Sequence, residues 1–240
     1  MQVRPRGADD RLRLLRAAGP RRSALMPAVA LSLELALPAG SAGAFTASLT
    51  AAAPRQIYLQ VGDGLFTGGN YTPIRGNGKP NGTPGVNTNI DVMSVTIPSG
   101  TVGNGSAQPM TTSSTTASSY WDGRAFCDLS QQQLYIGGFY RTNNAGGTNT
   151  ATVTATLPAS LTDTTGDTIP FSQISWTSGG IGDSGAEPFP AGSFSSTPLI
   201  VGTIAENQWA ESCWTFSYAN TVNPPPGTYT GRVTYTLSAP

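Results

Sequence analysis

The stretch Thr228-Tyr-Thr-Gly-Arg-Val-Thr-Tyr-Thr-Leu237 decides the fold. Tyr229, Val233, Tyr235 and Leu237 alternate with Thr228, Thr230, Arg232, Thr234 and Thr236. A period of two puts the apolar set on one face of a strand and the Thr/Arg set on the other. The same texture recurs upstream in Gln56–Val61, Ile90–Ile97, Gln133–Tyr140, Thr150–Leu157, Phe171–Thr177 and Cys213–Tyr218. Turn formers separate these runs: Gly68-Gly69-Asn70, Asn81-Gly82, Asn104-Gly105, Gly146-Gly147 and Pro224-Pro225-Pro226-Gly227. Residues 62–89 and 99–119 read as surface loops. After residue 44 no stretch carries a long apolar period of 3.6 residues. Many short strands with frequent turns predict an all-β, antiparallel β-sandwich over residues 56–240.

Composition narrows the chemistry. The 240 residues include 29 Gly and 19 Pro but no His. Without an imidazole, Ser-His-Asp and Cys-His catalysis, His-ligated zinc and His pH switches are all excluded. The formal net charge of zero averages two unlike segments. Arg4, Arg6, Arg11, Arg13, Arg16, Arg21 and Arg22 crowd the start, whereas the chain beyond Ala44 has six basic and ten acidic residues, a net charge of about −4. Six scattered basic residues make no electrostatic footprint for nucleic acid.

The first 44 residues have the order of a secretory signal. A basic run to residue 22 precedes the mostly apolar residues 23–37, and PAGSAGA follows, with Ala42-Gly43-Ala44 as an A-x-A cleavage site. Pro27, Glu34 and Pro38 cut the apolar run below the roughly 20 residues a spanning helix needs. Export is expected, with no transmembrane segment. In an exported chain Cys127 and Cys213 should be oxidised, and within one molecule they pair only with each other.

Candidate catalytic and ligating groups resolve mostly into turns. Gly182-Asp183-Ser184-Gly185 resembles the serine signature of trypsin-like proteases, but a Ser with no base is a poor nucleophile, and the same residues form an ordinary Asp turn. Glycoside hydrolysis needs only two carboxylates. Asp63, Asp91, Asp122, Asp128, Asp163, Asp167, Asp183, Glu187, Glu206 and Glu211 supply them without indicating a pair. The runs Asp163–Asp167 and Asp183–Glu187 offer oxygens to calcium but lack EF-hand spacing. Trp121, Trp176, Trp209 and Trp214, with Tyr120 and Tyr140, could form a sugar-stacking platform, although aromatic residues spread through strands more often fill a core. No catalytic residue, cofactor or metal site is expected.

The segment following the cleavage site reads Phe45-Thr-Ala-Ser-Leu-Thr-Ala-Ala-Ala-Pro54. Phe45, Ala47, Leu49 and Ala51 alternate with Thr46, Ser48, Thr50 and Ala52, an extended strand with one apolar edge. It is either an edge strand of its own sandwich or a donor to a neighbour's sheet. An exported Gly/Thr-rich β chain with this extension (residues 45–55), a cysteine pair and the terminal strand Gly227–Leu237 resembles bacterial chaperone–usher pilins, nearest the archaic, spore-coat-U-like secreted group. The matched pattern of that last strand is Gly227, Thr228, Tyr229, Val233 and Tyr235.

The resemblance implies an incomplete immunoglobulin-like sandwich. A periplasmic chaperone would complete it first, and then a like subunit's extension would, through Phe45, Ala47, Leu49 and Ala51. The implied partners are like subunits, the chaperone and an outer-membrane usher, and the implied role is a surface fibre for adhesion or biofilm. The alternative is a self-contained secreted carbohydrate-binding or lectin-like module. The two readings differ in where residues 45–53 pack.

Overall fold

Seven strands carry the architecture: β1 (Gln56–Val61), β2 (Leu134–Arg141), β3 (Thr150–Thr156), β4 (Ile174–Ser178), β5 (Leu199–Ala205), β6 (Gln208–Tyr218) and β7 (Thr234–Ser238). The computed structural model describes residues 56–72, 82–85, 87–142, 147–195 and 197–240. The expected leader and the extension bearing Phe45, Ala47, Leu49 and Ala51 lie outside the described residues. All pairings between these seven strands are antiparallel. The first sheet runs β1-β2-β6-β4 and continues into the two-residue strand Gly192–Ser193. The second runs β5-β3-β7. The chain is an all-β sandwich, and among the described residues its only helices are single 3-10 turns.

The core lies between the sheets. β1 contributes Ile57, Leu59 and Val61, β2 Leu134, Ile136 and Tyr140, and β6 Trp214, Phe216 and Tyr218. From the second sheet come Ala151, Val153 and Ala155 of β3, Val201 and Ile204 of β5, and Leu237 of β7. Trp214 packs on Trp176 with ring centroids 5.1 Å apart. The outward face of β3 is a row of threonines at 150, 152, 154 and 156, so the second sheet buries one face and wets the other. The first sheet does not. Every residue of β2 is buried, which requires cover on both faces.

The strand expectations need several corrections. The hydrogen-bonded ladder of the last strand spans Thr234–Ser238, not Thr228–Leu237. Upstream, Thr230 bridges to Thr162 in a different hairpin. At Gly231 a Cβ would stand 2.7 Å from both Leu161 and Phe171, so the backbone passes hard against the core there and leaves the sheet line. The alternation of faces nevertheless persists. Tyr229, Val233 and Tyr235 are half-buried against the core and Leu237 is buried, while Thr230, Arg232, Thr234 and Thr236 are exposed.

Of Ile90–Ile97 only Met93–Ser94 is strand, and Phe171–Gln173 is a 3-10 turn leading into β4. β6 begins earlier than its periodic part, at Gln208. β5 has no clean alternation in sequence because the register shifts between Ile200 and Gly202. Such a bulge moves later side chains out of phase. Within the described parts of the two stretches read as surface loops, some residues serve as structural cover. Gln108–Pro109 pairs with β6, and Tyr71, Met110, Ser114 and Ser119 are buried.

Cys127 and Cys213 are bonded, with Cα atoms 5.5 Å apart and a sequence separation of 86. The bond ties the segment before β2 to the outer face of β6. Replacing both cysteines with serine should lower stability by about 4 kcal/mol on the loop-entropy account, read as a fall in the urea midpoint. An unchanged midpoint would mean the segment is held by its packing alone.

Candidate functional site

Two regions stand out: the unguarded sheet edges, and the cover on the outer face of the first sheet. The outward residues of β1, β2 and β6 include Tyr58, Tyr135, Phe139, Trp209 and Glu211. Phe66, Tyr71 and Tyr120 close over them, with Phe66 centred 5.4 Å from both Tyr58 and Trp209 and Tyr71 5.2 Å from Phe139. The Arg141 guanidinium lies over the Phe139 and Tyr71 rings at 4.3 and 4.7 Å, where its charge meets the negative ring faces. It also donates to Gln56 Oε1 at 3.0 Å.

Glu211 gathers three donors under this layer. Its Oε1 accepts from Ser119 Oγ at 2.5 Å. Its Oε2 accepts from Tyr135 OH and Trp209 Nε1, both at 2.7 Å. Burial, reinforced by the Glu211 charge, pushes the Tyr135 phenol well above its ordinary value. The phenol therefore stays protonated and remains a donor.

Asp63 latches the loop after β1. Its Oδ1 accepts from Ser114 Oγ, from the Thr115 and Thr116 N–H groups and from Thr116 Oγ1, and its Oδ2 accepts from Thr115 Oγ1, all within 2.7–3.0 Å. Partial burial opposes ionisation, but these donors outweigh it and hold the carboxyl below its ordinary value. Asp91 stands alongside, accepting from the Asp63 N–H at 2.5 Å and from Ser113 Oγ at 2.9 Å. A shallow depression lined by Asp63, Thr88, Asn89, Ile90, Asp91 and Ser113 opens there.

The structure draws some of the sequence candidates together. Asp63 meets Asp91. Asp163 and Asp167 both accept from Thr165 Oγ1, at 2.8–2.9 Å. Burial chiefly, with the nearby Asp183 charge and against a Ser212 bond, raises the Glu187 carboxyl. Gly182-Asp183-Ser184-Gly185 is an exposed turn in which Asp183 Oδ2 accepts from the Gly180 N–H at 3.0 Å. Among the described residues no group of three or more Cys, Asp or Glu is placed to hold a metal, and no helix is long and apolar enough to cross a membrane.

The aromatic candidates divide. Trp176, Trp214 and Tyr140 are core residues. Trp209 and Tyr120 belong to the outer layer, and Trp121 is half exposed. The outer layer as a unit was not visible in the sequence. Its signal was the pairing of Tyr135, Phe139 and Arg141 with the inward set of one strand, which makes β2 apolar on both faces.

The four outer sheet edges are not alike. The β5 edge carries the bulge and follows Pro198. The β4 edge is covered by Gly192–Ser193. β1 and β7 contain no charged residue, no proline and no register shift, and among the described residues each pairs on one side only. These two edges lie on the same flank, with Cα atoms within 8 Å of each other. Their inward side chains, Ile57, Leu59 and Val61 on β1 and Tyr235 on β7, are only half-buried, as are Val233 and Ala239 beside β7.

Compared with known proteins, the chain matches no protein-family model, no curated protein and no solved structure.

Asp63 gives a pH prediction. A carboxyl whose native value is depressed stabilises the fold above its ordinary value of 3.8, and that stabilisation disappears as pH falls through the lowered native value. Asp63→Asn should cost about 1–2 kcal/mol at neutral pH, near the low end for a charged hydrogen bond because solvent reaches the group. The gap from the parent should close below about pH 4 in urea titrations. A gap constant with pH would mean that side-chain shape, not charge, makes the latch.

Proposed function

We propose that this chain is a structural subunit of a secreted surface fibre, assembled by donor-strand exchange and serving adhesion or biofilm without enzymatic activity. The observation that carries the reading is the pair of unguarded, one-sided edges β1 and β7 on a single flank, above half-buried apolar side chains. Natural sheets protect such edges with charge, proline or bulges, because an open edge pairs with any strand that reaches it. Here the guards stand at β5 and are missing at β1 and β7.

The occupant of the flank is the alternating segment 45–53 of another copy. Phe45, Ala47, Leu49 and Ala51 enter beside the core residues, and main-chain hydrogen bonds extend the sheet. The segment joins β1 through Pro54 and Arg55, so the donor strand and one receiving edge are neighbours in sequence. A basic and apolar leader ending in Ala42-Gly43-Ala44 supports export, and the likeness of Gly227–Leu237 to pilin terminal strands supports a periplasmic chaperone and an outer-membrane usher as partners.

The test uses the chain lacking residues 1–44. It should form fibres or large oligomers by electron microscopy and size exclusion. Further deletion of residues 45–53 should abolish them, and a synthetic peptide of residues 45–53 should then raise the melting temperature of the shortened chain. Polymerisation that survives the deletion, or a full-length chain that remains a stable monomer with no chaperone, would overturn the proposal.

A further inference from the structure

Four tryptophans divide by the fate of the indole N–H. Trp176 Nε1 donates to Pro190 O, Trp209 Nε1 to Glu211 Oε2 and Trp214 Nε1 to Phe189 O, all at 2.7–2.9 Å. Trp121 is the exception. The residue is 50% exposed and its Nε1–H makes no hydrogen bond among the described residues.

This exposure is built into a rigid tip. Residues 118–125 form a hairpin bridged at Ser118 and Ala125. Ser119 N–H donates to Arg124 O at 2.9 Å, and Gly123, at φ +77°, donates its N–H to Ser119 O at 3.0 Å. Ser119 Oγ accepts the Trp121 N–H at 2.9 Å and itself donates to Glu211 of β6. Behind the indole, Tyr71 stacks at 5.8 Å with its plane tilted 35°. The disulfide at Cys127 anchors the following residues to β6. The backbone that carries Trp121 is thus ordered in advance, and the half-exposed indole rests on Tyr71.

Polar side chains stand on and beside the same tip. Asp122 and Arg124 are exposed and pair at 3.8 Å. The exposed Asn70 amide lies next to Gly123, where a Cβ on that glycine would be 3.5 Å from Asn70 Nδ2. One ring offers on the order of 200 Å² of contact, far less than the roughly 800 Å² per partner of a stable protein interface. A pyranose fits the scale and the chemistry. Its apolar C–H face matches the indole plane, and its rim of hydroxyls matches amide, carboxylate, guanidinium and indole N–H groups. The paired Asp122 and Arg124 cancel each other's charge, which favours a neutral sugar.

We propose that the 118–125 tip is a binding subsite for a neutral saccharide, with a pyranose ring stacked on Trp121 and its hydroxyls bonded by Trp121 Nε1, Asn70, Asp122 and Arg124. The subsite lies in one chain and does not rest on fibre assembly.

The experiment uses the chain lacking residues 1–44, titrated separately with glucose-, galactose- and N-acetylglucosamine-based trisaccharides at millimolar concentration. Tryptophan emission is followed, since Trp121 is the solvent-facing indole. At least one sugar should give a saturable blue shift that is absent in Trp121→Ala. Trp121→Phe should keep the stacking face but lose the N–H, weakening binding several-fold, and Asn70→Ala should weaken it likewise. Circular dichroism should match the parent in every variant, and only Trp121→Ala, which uncovers Tyr71, should lower the melting temperature slightly, with the protein still folded at the assay temperature. No saturable change with any of the three sugars overturns the proposal, and so does equal binding by folded Trp121→Ala, measured by calorimetry. The fibre proposal fails by a different readout, oligomer size, so the two failures are distinct.

Discussion

A β-strand whose residues are all buried forces the rest of the molecule to cover it twice, and β2 (Leu134–Arg141) is such a strand. Its inward side chains, Leu134, Ile136 and Tyr140, are covered by the second sheet. Tyr135, Phe139 and Arg141 point the other way, where among the described residues the only paired strands in the cover are the two-residue segments Phe66–Thr67 and Thr83–Pro84. The rest of the cover is irregular chain, and irregular chain has backbone groups that must find partners. The specific side-chain bonds of the protein concentrate there as a result. Asp63 binds hydroxyls and N–H groups of residues 114–116, Glu211 collects Ser119, Tyr135 and Trp209, and the disulfide fixes the end of the segment. Burying Arg141 follows from the same geometry. Its charge is placed over two aromatic faces rather than left against apolar carbon.

The chain beyond Ala44 has six basic and ten acidic residues, and some of these are engaged within the fold. Thr142 Oγ1 and the Asn149 amide donate to Glu206, as the hydroxyls and indole do to Glu211, and Asp63 and Arg141 are likewise engaged. The charged residues left to repel neighbours are sparse for a chain of this length. On β3 and β7 the outer face of the second sheet is threonine and serine at 150, 152, 154, 156, 234, 236 and 238, and β5 adds the exposed Ile200, Thr203 and Ala205. Such a surface is soluble through hydroxyls but carries little information against strand addition. The low charge noticed in the composition and the open edges in the structure are therefore two aspects of one allocation.

Legibility in the sequence tracked local physics. β1 and β3 were readable nearly to the residue because each alternates cleanly and one face is inward. β5 was missed because its bulge breaks the period after Ile200. The final strand was read too long because Thr228–Val233 keeps the alternation of faces without sharing the ladder, and periodicity reports faces, not hydrogen-bond partners. The outer cover was misread as surface loop because Gly-, Thr- and Asn-rich chain looks alike whether it lies over solvent or over an aromatic layer. Phe66 and Tyr71 within residues 62–89 were the apolar residues that could have shown otherwise, and Met110 within 99–119 belongs to the core between the sheets. The Asp63 cage joins residues some 50 positions apart, and no spacing rule reaches that far.

The contrast among edges carries more weight than any one edge does. An unguarded edge alone is unremarkable in a protein whose loops screen it. In this chain, a single fold contains both solutions: β5 is bulged, β4 is covered, and the strand residues of β1 and β7 carry neither device on one flank. Pressure against aggregation acts on every edge of a fold alike, because each would recruit strands from the same surroundings. The fibre proposal accounts for guards that stand on one flank and not on the other: a strand occupying the plain flank would relieve it of that pressure. A strand supplied in cis from residues 45–53 would relieve it in the monomer, and a strand supplied in trans would relieve it only on assembly.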